Sequence, residues 1–379
     1  MGLRVAPAET PAERERVYRL RYEIYVRELE LLTPEADHRW RRLTDPLDEH
    51  GLSFVVWDGD EALGCLRVVL LSDLPDPVPV LRKLHALPVQ LRFGSSAIAT
   101  TSRFMLHSRV RQSRAVFVLM RAAFDWARER GVRFNFGDCT AHQLPFYEHL
   151  GFRSYEAGFN DPAYGFKLPL VMLMGDREGF AARRSPLGRV AAAYPDDSAV
   201  REWFGQVWAR SPYAETAAIA GVERLRSTLR RALGGETASI SPVFAGLTSN
   251  EIDLLLSRAT LFRVREGDRI VRRGEPAQSL LVMASGEGLP IGDAEGSSPV
   301  RVGEPFGLGD VLWRGRRDAT IVATGAVQAL ALPGDFLDGL ERRAPDVARR
   351  LVANLEDFVA RRRALRWLPH SAVAAAAGS

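Results

Sequence analysis

Hydrophobic positions repeat with a helical period at the start of the chain and with a strand period soon after. Between Pro11 and Leu32, apolar residues recur at steps of three and four, which predicts an amphipathic helix that begins at Thr10-Pro11. The arginines of this helix are expected on its solvated face. The stretches 53–57 and 62–71 flank the turn Asp58-Gly59-Asp60, so they predict a pair of strands.

The stretch 133–152 changes from a strand period to a helical one. Phe134 and Phe136 alternate with smaller or polar residues, which predicts a buried strand. After a break, the apolar residues fall on one face of a short helix, and Gly151 suits the left-handed position that ends a helix. Tyr147 is therefore expected on a different face of this helix from its buried aromatic residues.

A basic segment separates a predicted strand that ends near Leu106 from a predicted helix over 115–130. It contains Arg109, Arg111 and Arg114. Positive side chains near the N-terminus of a helix add to its dipole and can form an anion site. A solvated basic turn is the alternative interpretation.

The second half of the chain begins with helical patterns and continues with short strands. Residues 177–241 carry an alanine run and two helical patterns, the second of which ends at Gly234-Gly235, and they predict a helical connector. From Val243 onward, short apolar runs alternate with Gly-Asp and Gly-Glu turns, a pattern typical of a β-roll. A final helix is predicted over 345–365, and the alanine-rich end 371–379 predicts a disordered tail.

The composition is that of a soluble globular protein, with 46% hydrophobic and 26% charged residues among 379. Lys83 and Lys167 are the only lysines, and the formal charge of +4 is too small for this length to indicate a nucleic-acid partner. Cys65 and Cys139 have neither a disulfide framework nor a zinc spacing, so we expect a cytoplasmic location and no metal. No stretch of 18 residues is apolar and no secretory signal is present, so we expect no membrane span.

One block of the sequence resembles a known fold. The motif Phe146-Tyr147-x-x-x-Gly151-Phe152 after a strand is similar to the last conserved block of the GCN5-related N-acyltransferase fold. In that family, the residue at the position of Tyr147 often protonates the departing thiolate of an acyl thioester, which needs a proton donor within hydrogen-bond reach. The alternative is a packed tyrosine with a satisfied hydroxyl. His142 is a candidate base for the attacking amine, or else a helix-capping side chain.

Residues nearer the start resemble those of acyl-homoserine-lactone synthases, and more closely those of long-chain N-acyl amino acid synthases. Asp45 and Asp48 precede the predicted strand pair, and Arg67 lies on its second strand. A later strand reads Ser102-Arg103-Phe104. The resemblance implies that the arginines orient the carboxylate of the amine substrate while an aspartate holds its ammonium. The alternative is that Arg67 and Arg103 pair with the two aspartates themselves.

Two departures from these families narrow the expected substrates. Lactone synthases carry a glutamate where this chain has Thr100, so a lactone product is not expected. Acetyl-CoA users have glycines in the loop before the helix, whereas residues 107–114 contain none. The arginines of this loop suit the single phosphate of a phosphopantetheine arm and an acidic acyl carrier protein. Backbone donors of Phe104, Met105 and Leu106 would polarise the thioester carbonyl.

The C-terminal pattern resembles a cyclic-nucleotide-binding domain, because its glycine-containing turns between residues 266 and 307 are spaced as in that family. Arg317 stands where the phosphate partner belongs. Leu308 replaces a glutamate that accepts from the ribose, and Asp318 would repel a phosphate. A site for cAMP or cGMP is one interpretation, and a scaffold or homodimer element is the other. The residues that correspond to the phosphate cassette are Gly307, Arg317, Ala319 and Thr320.

The sequence thus predicts an α+β chain with two domains. An N-acyltransferase domain with a mixed sheet flanked by helices covers 1–178, and a cyclic-nucleotide-binding-like β-roll covers 242–366. A helical linker in 179–241 joins them, and a disordered tail follows in 367–379. The expected activity is acyl transfer from an acyl carrier protein or acyl-CoA thioester to an amino acid or similar small amine. The alternatives are a cyclic-nucleotide-regulated acetyltransferase that uses acetyl-CoA, and a non-catalytic lipid or nucleotide sensor.

Overall fold

The computed structural model describes residues 2–31, 33–111, 113–209, 213–292, 298–308 and 315–366. The chain divides into two compact units: Met1–Thr140 with Phe146–Tyr213, and Ala141–Pro145 with Ala214–Ser379. The tail predicted over 367–379 and part of the predicted phosphate cassette, 309–314, lie outside the described residues. No helix in the described ranges has both the length and the apolarity to cross a membrane.

The first unit contains a mixed sheet of eight strands and a separate two-stranded hairpin. The strands are β1 (Arg4–Pro7), β2 (Ala36–Asp37), β3 (Arg42–Leu43), β4 (Leu52–Asp58), β5 (Glu61–Leu70), β6 (Ile98–Leu106), β7 (Phe134–Cys139), β8 (Arg153–Ser154), β9 (Phe159–Asp161) and β10 (Gly165–Leu173). The sheet has the order β1-β4-β5-β6-β7-β10-β8, with β9 paired to β10, and β2 pairs with β3 to form the hairpin.

The first helix begins with a capping box and a proline. The Thr10 hydroxyl accepts from the Glu13 N–H, the Glu13 carboxylate accepts from the Thr10 N–H, and Pro11 occupies the first turn. The helix continues into a π-helical turn, Glu23–Glu28. The α-helices of the first unit are α1 (Pro11–Tyr22), α2 (Val78–Lys83), α3 (Leu87–Phe93), α4 (Ala115–Glu129), α5 (Leu144–Leu150), α6 (Arg177–Ala182), α7 (Gly188–Ala191) and α8 (Ser198–Val207).

Strands β6 and β7 are parallel neighbours that separate partway along their length. Their Cα partners run from Ile98–Phe134 to Thr100–Phe136. Beyond that point β6 continues beside β5, and β7 continues beside β10. The sheet therefore has an opening bounded by 101–106 of β6 and 137–139 of β7, which we call the β6–β7 gap.

Helix α8 belongs to the core of the first unit, which corrects the linker predicted over 179–241. Val200 and Phe204 are four residues apart and pack with the β7 phenylalanines. The Arg133 guanidinium contacts the Asp197 carboxylate at 2.7 and 2.9 Å, and Asp197 caps the helix. The helical pattern was predicted from the sequence, but its assignment to the first unit was not, and this unit extends to Tyr213.

The second unit is a β-roll of two sheets with helices around it. Its strands are β11 (Ala214–Thr216), β12 (Thr260–Val264), β13 (Arg269–Val271), β14 (Ser279–Ser285), β15 (Gly288–Ile291), β16 (Pro305–Phe306), β17 (Thr320–Ala323) and β18 (Val327–Pro333). They form sheets of order β11-β12-β18-β14-β16 and β13-β17-β15.

The helices of the second unit close the apolar core of the roll. Leu225, Leu229 and Leu233 lie at helical spacing on one face and are buried in this core, so their part of the predicted linker also belongs to a folded unit. The helices are α9 (Ala217–Ala220), α10 (Val222–Leu233), α11 (Thr237–Ile240), α12 (Ser249–Leu256), α13 (Gly334–Asp338), α14 (Leu340–Arg343) and α15 (Pro345–Arg366).

Candidate active site

A buried network of three arginines and two aspartates lies in the first unit, and we call it the arginine–aspartate network. The Asp48 Oδ1 atom accepts from Arg21 and from Arg67, each at 2.7 Å. Asp45 accepts from Arg67 at 2.6 Å through Oδ1 and from the Arg103 Nε at 2.9 Å through Oδ2. Each aspartate also takes part in a capping box over 45–48, which fixes both carboxylates before β4.

Arg21 corrects one expectation from the helical pattern. Its side chain is completely buried, whereas the arginines of α1 were expected to face solvent. It turns inward because its two terminal nitrogens donate to Asp48 and, at 3.0 Å, to the Ser53 hydroxyl. Burial by itself raises the pKa of Asp45, but the guanidiniums of Arg67 and Arg103 lower it below its usual range.

The groups of this network are occupied by one another, as in the alternative interpretation of the sequence. The Arg67 side chain is 2% exposed and also donates to the Ser102 hydroxyl at 3.1 Å. A substrate carboxylate would have to displace Asp45 or Asp48 to reach it. Arg103 lies at the edge of the network, where Asp45 holds its guanidinium.

Arg103 occupies a strained backbone position at the β6–β7 gap. Its φ is +55°, which is uncommon for a residue with a Cβ atom and typical of functional sites. The guanidinium lies 5.7 Å from the ring centre of Tyr25 and 5.4 Å from that of Tyr164, and it donates to the Tyr164 hydroxyl. The sequence contained no signal for Tyr164, because the turn that carries it is distant along the chain.

Tyr147 lies on α5 and is half-buried. Its ring makes edge contacts with Phe146 at 5.4 Å and with Phe152 at 5.7 Å. Phe146 in turn stacks on Phe104 of β6 at 5.8 Å, so aromatic contacts join α5 to the border of the gap. Burial, with a smaller effect of Cys139, raises the pKa of Tyr147 well above its ordinary value. The phenol therefore keeps its proton at neutral pH.

The other candidate groups near Tyr147 have different environments. His142 lies in the turn Ala141–Gln143 directly before α5 and is half-buried, and its role as base or cap stays a prediction. Cys65 and Cys139 are fully buried, and burial raises the pKa of both thiols. A covalent acyl-cysteine route is therefore disfavoured.

The pairing of β6 with β5 indicates which way the amides at the end of β6 face. The His107 N–H donates to the Leu63 carbonyl at 2.8 Å, so the amide two residues before it, on Met105, also faces β5. By the alternation of a strand, the Leu106 amide faces the opposite side. The β5–β6 register shifts between Cys65 and Arg67, opposite the strained Arg103, so simple alternation does not extend to the Phe104 amide. The role of Phe104, Met105 and Leu106 as carbonyl donors stays a prediction.

The predicted three-arginine anion site is only partly available. Arg109 and Arg111 have internal carboxylate partners, whereas Arg114 is exposed directly before α4. Neutralised guanidiniums attract a phosphate weakly, which leaves Arg114 as the main candidate. The pairs are Arg109 with Asp58 at 3.0 Å and Glu61 at 2.7 Å, and Arg111 with Glu28.

In the second unit, Arg317 is buried and its side chain has neutral partners. It donates to the Gly307 carbonyl and to the Ser279 hydroxyl, the latter at 3.1 Å, and burial lowers its pKa to about 10. No carboxylate lies within ion-pair distance of it among the described residues. Leu308 packs against the apolar core, so it does not offer the polar contact of a glutamate.

The remaining cassette residues lie near the start of β17. Ala319 is half-buried, and the neighbouring Asp318 is exposed. The Thr320 hydroxyl accepts from the Arg273 N–H at 3.0 Å. The cassette residues predicted from the sequence therefore include one buried cation and one internally bonded hydroxyl.

The first unit thus combines the β6–β7 gap, the Tyr147 phenol on the helix beside it and the strained Arg103 position of β6. Residues 16–176 match the model of the family described as FeeM, N-acyl amino acid synthase. Both resemblances predicted from the sequence and the α+β fold class are confirmed, as is the acyltransferase assignment of this segment.

Three known proteins illustrate the similarity. A Thermus thermophilus protein named cyclic AMP receptor protein is 35% identical over 120 residues, 30% of this chain and 56% of that protein. A Rhodopseudomonas palustris protein named for a potassium channel is 30% identical over 113 residues, 29% of this chain and 27% of that protein. The chain thus spans about half or less of these curated relatives. The structure of FeeM, an N-acyl amino acid synthase from uncultured soil microbes, has a TM-score of 0.39 and 14% identity, and the likeness covers 50% of this chain and 98% of that one.

Proposed function

We propose that the first unit transfers an acyl group from a thioester to the amine of an amino acid. The family match of residues 16–176 supports this activity. The observation that carries it is the half-buried, protonated phenol of Tyr147 on the helix that stacks against β6 at the β6–β7 gap. A thioester carbonyl placed in the gap would meet backbone amides at the end of β6.

The reaction follows from these groups. A neutral amine attacks the thioester carbonyl, the C–N bond forms, and the β6 amides donate to the developing oxyanion. The C–S bond then breaks, the amine nitrogen loses its extra proton to solvent, and the departing sulfur takes a proton from solvent. Because a thiol has a pKa of about 8.5, below that of the Tyr147 phenol, the phenol first stabilises the thiolate by donating a hydrogen bond.

We further propose an acyl carrier protein as the donor, with acyl-CoA as the alternative. Arg114 is the arginine of its loop that has no carboxylate partner among the described residues. One exposed guanidinium suits the single phosphate of a phosphopantetheine arm better than a pyrophosphate. An acetyl-CoA-dependent acetyltransferase is the competing enzyme activity.

The Tyr147→Phe variant tests the proposal. A long-chain acyl carrier thioester and acetyl-CoA are offered side by side with the common amino acids, and products are identified by mass spectrometry. We expect N-acyl amino acids from the long-chain donor, and a kcat about 100-fold lower in the variant with an unchanged donor KM.

The matched control is Tyr194→Phe, which removes a hydroxyl that donates to Asp125 at 2.9 Å in the same unit. Full activity of the Tyr147→Phe variant would contradict the proposed catalytic role of the phenol. Failure to consume either donor would favour the non-catalytic sensor.

For the second unit we propose binding of a cyclic nucleotide as an effector. The supporting observation is the buried Arg317, whose described side-chain partners are neutral. A buried guanidinium without a carboxylate is stabilised by an anionic ligand. A scaffold or homodimer element remains the competing role.

A further inference from the structure

The two lysines of the chain converge on one carboxylate. Among 51 lysine and arginine residues, Lys83 at the end of α2 and Lys167 in β10 are the lysines. The Lys83 Nζ lies 3.6 Å from the Asp138 Oδ2, and the Lys167 Nζ lies 3.8 Å from the Asp138 Oδ1. We call these three residues the lysine–aspartate cluster.

The cluster lies at the border of the β6–β7 gap. Asp138 follows Phe136 by two residues in β7, so its side chain shares the face of the sheet on which Phe136 packs with α8. Its charge also contributes to raising the pKa of Tyr147, after burial and the nearer groups. The cluster and the phenol thus both belong to the surroundings of the gap.

Among the described residues, the Asp138 carboxylate and the Lys167 ammonium have no short hydrogen-bond partner, whereas Lys83 has one. Both distances to Asp138 exceed a hydrogen bond, and the Lys167 side chain is only 14% exposed, with its Nζ 5.5 Å from the Tyr164 ring centre. Lys83 is held by Asp161 at 2.9 Å. A nearly buried ammonium and a carboxylate without short hydrogen bonds among the described residues are suited to receive ligand atoms.

We propose that the lysine–aspartate cluster binds the amino-acid acceptor, an inference that rests on the proposed acyl transfer. The Lys83 and Lys167 ammoniums hold the α-carboxylate, and Asp138 holds the α-ammonium before it loses its proton. The arginine–aspartate network is less suited to these contacts, because each of its guanidiniums already donates to Asp45 or Asp48. The acceptor class is accordingly α-amino acids with a free carboxylate, and decarboxylated amines are excluded.

Lysine-selective 13C labelling of the full chain tests this without turnover. The spectrum contains two lysine side-chain signals, which Lys83→Met and Lys167→Met assign. The twenty L-amino acids are titrated, followed by phenethylamine and isopentylamine as the decarboxylated counterparts of phenylalanine and leucine. We expect at least one amino acid to shift both signals, and neither amine to do so.

Calorimetry with that amino acid measures the contribution of each side chain. We expect Lys83→Met, Lys167→Met and Asp138→Asn each to weaken binding about tenfold or more. Arg82→Met is the matched control, because it removes a positive charge from the exposed neighbour of Lys83 on the same helix, and its affinity should be unchanged.

Three outcomes overturn the inference: no amino acid shifts the lysine signals, an amine shifts them equally, or the cluster variants bind normally. Failure of the proposed function is distinguishable from these results. Amino-acid binding without acyl transfer would contradict the proposed acyltransferase activity but support the cluster as an amino-acid site. Acyl transfer with unmoved lysine signals would support the activity but contradict the site.

Discussion

At the scale of single residues, the sign and placement of buried charges decide what the site can bind. Asp45 and Asp48 pair with the guanidiniums of Arg21, Arg67 and Arg103, and the pair with Asp45 holds the strained Arg103 beside the gap. Breaking such a buried pair leaves an uncompensated charge. The network is therefore expected to contribute to stability as well as to position.

Asp45→Asn tests this contribution. We expect a loss of about 3 kcal/mol in the free energy of unfolding at pH 7, because Arg67 and Arg103 lose a charged partner. The folded-state pKa of Asp45 is depressed, so its contribution is present above the unfolded-state pKa of about 3.9 and is lost as the pH falls toward the folded value. The difference from wild type should shrink below about pH 4 in urea titrations.

Asp58→Asn is the control for Asp45→Asn. Asp58 pairs with a half-exposed arginine, so its replacement should change stability by less than about 1 kcal/mol. A wild-type advantage that stays constant from neutral to acidic pH would contradict an ionic role of Asp45.

Some of these residues could be predicted from the sequence and others could not. The types and spacing of Asp45, Asp48, Arg67 and Arg103 indicated a charged site, but which charge pairs with which depends on distances that no local pattern contains. Lys83 and Asp161 are 78 positions apart and meet only because β9 pairs beside the gap. The lysines drew attention by their rarity alone, without any indication of a shared partner.

At the scale of elements, a short amphipathic helix is easily mistaken for a spacer. Helix α8 has ten residues, and its apolar positions are recognisable only when the sheet face that they cover is known. The strands and the α5 block were predictable because their periods are clear. The end of the first domain was not predictable, because it depends on which hydrophobic core Val200 and Phe204 pack into.

Phe204→Ala tests whether α8 is part of the first unit. Phe204 is buried and its ring centre lies 4.8 Å from that of Trp208, so we expect a loss of about 3–4 kcal/mol in the unfolding free energy of this unit. Val207→Ala, on the exposed side of the same helix, should cost less than about 0.5 kcal/mol. Calorimetric unfolding of both variants gives the comparison, and equal small losses would restore the spacer interpretation.

At the scale of the whole molecule, the chain joins an acyltransferase-class unit to a β-roll with a buried cation. The roll was predictable from its glycine turns, because each turn type restricts the backbone. The ligand of the roll was harder to predict, because Leu308 and Asp318 depart from the family pattern whereas Arg317 matches it.

Titration calorimetry with cAMP and cGMP tests the roll. We expect heat of binding for wild type and an affinity about 100-fold lower for Arg317→Ala, because the buried guanidinium is the proposed phosphate partner. Arg349→Ala, an exposed arginine of the same unit, is the control. Binding that survives Arg317→Ala would exclude this phosphate site, and no heat with either nucleotide would favour a scaffold or dimer role.

The burial of both cysteines has a practical consequence. Because neither Cys65 nor Cys139 is accessible in the folded chain, a colorimetric disulfide reagent has no protein sulfur to react with quickly. Colour that develops during a reaction would report the pantetheine sulfur released from the donor. Each molecule of chromophore would then count one completed transfer, in real time and without a coupled enzyme.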